Sequence, residues 1–142
     1  MPVIFHFHDV HFPLKNRTLL KRYLEDLFLK EGFELAHLEY VFCTDHYLLK
    51  LNREFLHHHT FTDILTFDFS ESSKIISGEI YISAERVREN AEKFGASFEN
   101  ELHRVIFHGA LHLCGYHDKL PGDKKTMRNK ENENLKNYFR LA

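Results

Sequence analysis

The segment between Ser97 and Gly115 constrains this chain more than any other. Leu102, Val105, Ile106, Gly109, Ala110 and Leu113 recur at three- and four-residue intervals, which lays them along one face of a helix. Ser97 is placed to cap the first turn, and Gly115 to end the last in a left-handed conformation. A helix with such a stripe must bury it against a sheet or other helices, so the rest of the chain has to supply them.

It does so in short, well-punctuated pieces. Val3 to His8 alternates apolar and polar residues as a strand does. Leu14 to Lys30 carries Leu19, Leu20, Tyr23, Leu24, Leu27 and Phe28 at helical spacing, with Gly32 as the stop. A second strand is expected from Glu34 to Phe42, then a helix capped by Thr44 or Asp45 and running to about Phe55. Leu56 to Phe61 has no clear period and reads as a loop; His57, His58 and His59 are taken as polar surface rather than a second metal site. Asp63 to Phe69 and Ile75 to Ile82 are strands joined by a polar link at Ser70–Ser73. Ser83 caps a helix that stops at Gly95, and Pro121 opens a last helix reaching about residue 139. The order β-α-β-α-β-β-α-α-α predicts one α+β domain over residues 1–142. Its small mixed four-stranded sheet packs with about five helices, and the functional site lies on the penultimate helix and the turn after it.

Composition narrows the function classes. Hydrophobic residues make up 43% of the chain, too many for a disordered protein. No apolar run approaches the roughly 20 residues of a membrane span, and the first residues enter a strand without a signal-peptide pattern. Cys43 and Cys114 are too few for a disulfide scaffold and suit a reducing cytosol. A cytoplasmic protein with no membrane partner is expected. The net charge of −2 does not mark a nucleic-acid binder. Lys119, Lys124, Lys125, Arg128 and Lys130 do gather beyond Gly115, where each taken singly reads as solvated helix surface.

The chemistry concentrates at the end of the striped helix. His108 and His112 lie at the edge of the stripe, about 40° apart around the axis. Past Gly115 the chain turns back and brings His117 and Asp118 toward the two imidazoles. Three such ligands leave a fourth position for water, as in catalytic zinc sites. Zinc proteases place a glutamate general base directly after the first histidine; here that residue is Gly109, which argues against peptide hydrolysis. Cys114 falls about 200° from His112 and reads as a packed thiol. His117 would complete a three-imidazole zinc site, whereas Asp118 gives a set that also suits iron, manganese or nickel. Spacing alone leaves both open.

His108-Gly109-Ala110-Leu111-His112-Leu113-Cys114-Gly115-Tyr116 resembles the motif of the YbeY-type endoribonucleases, His-Gly-x-Leu-His-Leu-x-Gly-Tyr-Asp-His. Thr62-Asp63-Ile64-Leu65-Thr66-Phe67 resembles that family's Thr-Asp-Val-Leu-Ser-Phe. Gly78-Glu79-Ile80 with Ile82-Ser83 resembles its Gly-Asp-Ile-x-Ile-Ser. Leu51-Asn52, the helix at 83–95 and Glu101-Leu102 fall in register, so the similarity spans roughly residues 45 to 130.

The resemblance implies one Zn2+ or other divalent ion per chain at the mouth of a cleft. It also implies cleavage of single-stranded rRNA, 16S rRNA 3′-end maturation on the small ribosomal subunit, and ribosome quality control. Aligned on the motif, the ligands are His108, His112 and Asp118, catalytic through the water on the ion, with His117 as the alternative third ligand. The family arginine that follows the asparagine matched by Asn52 is Leu56 here; Arg53 or the histidines at 57–59 are the nearby substitutes. Arg53, Thr62, Asp63 and Thr66 are candidate substrate contacts, although Thr62 and Asp63 read equally well as a strand-entry turn. Two other readings are a ribosome-associated binding module with a structural metal and a metal-dependent hydrolase of a small substrate. The latter calls for a deep apolar pocket in place of a basic groove.

Overall fold

Strands β1 (Val3–Phe7), β2 (Glu34–Cys43), β3 (Ile64–Asp68) and β4 (Ile75–Ser83) form one sheet in the order β1-β2-β4-β3. The computed structural model describes residues 2–56 and 62–142. β1, β2 and β4 run parallel, and β3 lies antiparallel on the edge of β4. The connections explain the mixture. Parallel neighbours need long crossovers, supplied by helix α1 (Arg17–Lys30) between β1 and β2 and by helix α2 (Asp45–Leu56) with β3 between β2 and β4. The short polar link after β3 allows only an antiparallel return.

Side chains alternate across each strand, so one face of the sheet takes Leu38, Tyr40 and Phe42 of β2 with Ile76, Ile80 and Ile82 of β4, all buried. Helices α1 and α4 (Phe98–Leu113) cover that face, α3 (Ala84–Phe94) packs beside α4, and α5 (Pro121–Leu141) lies across α4. Every stripe residue of α4 is buried. The Tyr40 hydroxyl, inside this core, is paired by donating to the Ile106 carbonyl at 2.8 Å. On the opposite face α2 packs Leu48 on Cys43 and Leu65.

Helix α4 sits unusually close to the sheet at one residue. A Cβ on Gly109 would stand 2.9 Å from Ile80 Cδ1 and 3.0 Å from Ile64 Cδ1. Only a bare backbone lets the helix approach β3 and β4 this far, and the histidines flank that point.

The element order matches the sequence reading, with small shifts at the ends. The first helix begins at Arg17 rather than Leu14 because Asn16 adopts φ 55, ψ 44, a left-handed conformation through which a right-handed helix does not propagate. Leu14 is buried all the same. Leu56 closes α2, and the rest of the loop expected at 56–61, with His57, His58 and His59, lies outside the described residues. Among the described residues no helix is long and apolar enough to cross a membrane.

Candidate functional site

A cleft of about 800 Å³ opens where β3, α4 and α5 meet. Helix α4 supplies Glu101, Arg104, His108 and His112, spaced by three, four and four residues along one face. β3 and the residues leading into it supply Thr62, Asp63 and Thr66; the turn before α5 and α5 itself supply Asp118, Lys119, Lys124, Arg128 and Glu131. Leu56 of α2 and Phe94 of α3 complete the wall.

Local sequence explains how the imidazoles are held. Gly115 takes φ 101, which brings the Gly115 N–H to the His112 carbonyl at 3.0 Å and the Tyr116 N–H to the Leu111 carbonyl at 3.1 Å. This helix stop also puts the Tyr116 carbonyl 3.1 Å from His112 Nδ1. A carbonyl only accepts, so Nδ1 carries the proton, and in the neutral ring Nε2 is left with a lone pair. His108 is fixed in the same sense by Glu131, whose Oε2 lies 2.7 Å from Nδ1. Burial alone would raise the Glu131 carboxyl, but the hydrogen bonds from His108 and Arg104 outweigh it and hold the pKa below the usual value. Burial likewise pulls the His108 ring down; the hydrogen bond and charge of Glu131, with Asp118 and Asp63, override it and hold the ring above an ordinary histidine.

The second nitrogen of His108, Nε2, lies 3.3 Å from Asp118 Oδ2. Nitrogen and oxygen donors bound tetrahedrally to one zinc ion stand roughly 3.3–3.5 Å apart, from bond lengths of about 2.0–2.2 Å. The 3.3 Å contact is that of an imidazolium–carboxylate pair and is equally compatible with two donors to a shared ion; His112 lines the same cleft one turn further along α4. Among the described residues no three His, Cys, Asp or Glu side chains are drawn into a tight donor group. His108 and Asp118 are paired, and His112 stands one turn away on the same wall. His117 is exposed and outside the cleft wall, its ring 6.3 Å from that of His112. Cys114 packs against the core and does not wall the cleft; burial, and then the charge of Glu31, push its thiol up to about 12. His108, His112 and Asp118 are thus the cleft's candidate donors for a divalent ion.

The substrate candidates divide. Asp63 and Thr66 wall the cleft, and burial raises the Asp63 carboxyl, partly opposed by His108. Thr62 walls it too while donating to the Ile64 carbonyl at 3.3 Å, and the Asp63 carbonyl accepts from Ser83 N–H at 3.0 Å. These two residues thus build the strand entry as well as the wall. Arg53 is exposed on α2, one turn before Leu56; among the described residues Leu56 rather than Arg53 walls the cleft. Arg104 and Glu131 were not anticipated. Glu131 left a trace in the sequence, since it interrupts the buried register Met127, Leu135, Tyr138 of α5 with a charge.

The model of the family described as Endoribonuclease YbeY matches residues 7–139. The chain belongs to the YbeY endoribonuclease family. Proteins named Endoribonuclease YbeY from Flavobacterium psychrophilum and Cytophaga hutchinsonii are 44% and 43% identical to it, over 91% and 94% of this chain and 91% and 93% of theirs. A third, from Bacteroides thetaiotaomicron, is 39% identical over 95% of this chain and 98% of its own. The solution structure of TM1509 from Thermotoga maritima superposes with a TM-score of 0.67 at 29% identity, covering 98% of this chain and 90% of that one. The match to YbeY proteins thus spans the strands, the cleft and α5 rather than the histidine motif alone.

Proposed function

We propose that this chain is a metal-dependent, single-strand-specific endoribonuclease of the cytoplasm, acting in 16S rRNA 3′-end maturation on the small ribosomal subunit. The observation that carries the reading is the pair of imidazoles in one cleft, each with Nδ1 held by an acceptor and with Nε2 of His108 facing the Asp118 carboxylate. His108, His112 and Asp118 would hold the ion, zinc or another divalent metal. When bound, that ion supplies a Lewis acid that acidifies a water and balances charge on phosphoryl oxygens.

The chain's own residues do the rest. Glu101 and Glu131 are buried on the floor, whereas Lys119, Lys124 and Arg128 are exposed at the rim. Cations at the rim attract the phosphates of a strand, and acidic groups below repel them unless a cation lies between. Phe94, 63% exposed at one end, offers a ring on which a base can stack. The Tyr116 carbonyl keeps the His112 proton on Nδ1 and the ring in one orientation. The three donors suit a site left open to solvent rather than a closed structural one.

The test compares wild type with His112→Ala on a labelled single-stranded RNA, with and without chelator. Cleavage by wild type alone, abolished by chelator and restored by zinc, supports the reading. Absence of cleavage above the variant, with metal present in the wild type, rejects it.

A further inference from the structure

We infer that Glu131 is a positioning residue: it fixes the ring of His108 so that Nε2 can bind the metal, an inference that rests on the function proposed above. Glu131 comes from α5, far from the histidine motif, and its side chain is only 7% exposed. Both carboxylate oxygens are engaged. Oε2 accepts from His108 Nδ1 at 2.7 Å, and Oε1 from Arg104 NH1 at 3.0 Å. Arg104 reaches on through NH2 to Asn132 Oδ1 at 2.8 Å, so its guanidinium is held at two points, and Arg128 NH1 stands 3.7 Å from the same Oε1.

Stability does not account for a carboxylate here. Its neighbours in the buried register of α5, Met127, Leu135 and Tyr138, dock the helix with apolar contacts. A buried ion pair contributes little net stability compared with apolar residues of the same volume. What the charge does supply is a fixed ring. A free imidazole can flip or carry its proton on Nε2, and neither state ligates through that atom. A carboxylate at Nδ1 selects the ligating tautomer and orientation and makes Nε2 a better donor. The site therefore has two anchors of different origin: His112 is held by a carbonyl of its own helix stop, His108 by another helix.

The experiment measures zinc affinity by chelator competition on the full chain for wild type, Glu131→Gln, Glu131→Ala and Asn134→Ala. The last variant removes a different α5 contact, Tyr23 hydroxyl to Asn134 Oδ1 at 2.7 Å, and controls for loosened docking of that helix. Glu131→Gln should weaken zinc about tenfold and Glu131→Ala by up to about 100-fold, while Asn134→Ala binds as wild type. In the zinc-loaded wild type, nitrogen NMR should show the His108 proton on Nδ1 in slow exchange, and the Glu131 variants should lose that protection. Affinity within twofold of wild type in both Glu131 variants overturns the inference, as does an equal loss in Asn134→Ala. A wild type that takes up no zinc overturns the metal reading itself, and this inference with it.

Discussion

Gly109→Ala tests the close seat of α4 on the sheet. In an exposed helix this change stabilises by about 1 kcal/mol, because alanine restricts the unfolded chain and favours the helix. Here the new methyl would stand 2.9 Å from Ile80 Cδ1, 3.0 Å from Ile80 Cγ2 and 3.0 Å from Ile64 Cδ1. Carbon pairs prefer about 3.5–4.0 Å, so each contact is short by roughly half an ångström or more. Ile80 is fully buried and β-branched, with two of its atoms against the methyl, so rotating one away leaves the other. Overpacking of this kind costs about 1–3 kcal/mol. The steric cost therefore exceeds the propensity gain, and the net loss is about 1 kcal/mol, or about 2–4 °C in Tm for a chain of this size.

Gly122→Ala is the internal control. It lies in the first turn of α5 with nothing within 4 Å of its Cβ position, and should be neutral or stabilising. Both are read by thermal melting of the metal-free protein. A Gly109→Ala variant that melts at or above wild type would falsify the packing argument. The same contact explains why a protease-type glutamate has no place here: a side chain at 109 meets the sheet before it reaches the cleft.

Asp118→Ala should lose bound zinc while His117→Ala largely retains it, since Asp118 faces His108 Nε2 at 3.3 Å and His117 is exposed outside the cleft; metal analysis showing the reverse reassigns the third ligand. Leu56→Arg should raise RNA cleavage at unchanged metal content, because a guanidinium on the cleft wall adds a phosphate partner. Unchanged turnover would show that Arg128 or Lys124 already fills that role. His103 is buried, stacks on Tyr138 and donates from Nδ1 to the Glu99 carbonyl at 2.7 Å; burial lowers its pKa below 6.5, against a smaller opposing pull from Glu99. A lowered folded-state pKa means its contribution is complete above 6.5 and is lost as pH falls from there through the folded value. Chemical denaturation from pH 7.5 to pH 5 should therefore show a shallower decline in His103→Phe than in wild type, and parallel curves would remove His103 from the account.

Much of this protein is legible from residues a few positions apart. Ser83 and Ser97 accept from the Arg86 and Asn100 N–H groups as helix caps, and Gly95 and Gly115 end α3 and α4 with positive φ. These are local events, set by hydroxyl reach and by the conformational freedom of glycine, so a sequence reader sees them. The pairing of His108 and His112 on one helix edge is legible for the same reason. Asn16 shows where such reading ends, since nothing in its neighbours announces a left-handed residue ahead of α1.

The chain by itself determined its periodic elements, their stops, the histidine pair and, through the combined motifs, the family. Tertiary structure decided the rest: the order β1-β2-β4-β3, the placing of Leu56 on the cleft wall, Asp118 rather than His117 beside His108, and the carboxylate of Glu131 beneath it. The division has a physical cause. Periodicity and capping are fixed by neighbours along the chain, whereas the partner of a side chain depends on which distant surfaces pack together, and His108 and Glu131 are 23 residues apart.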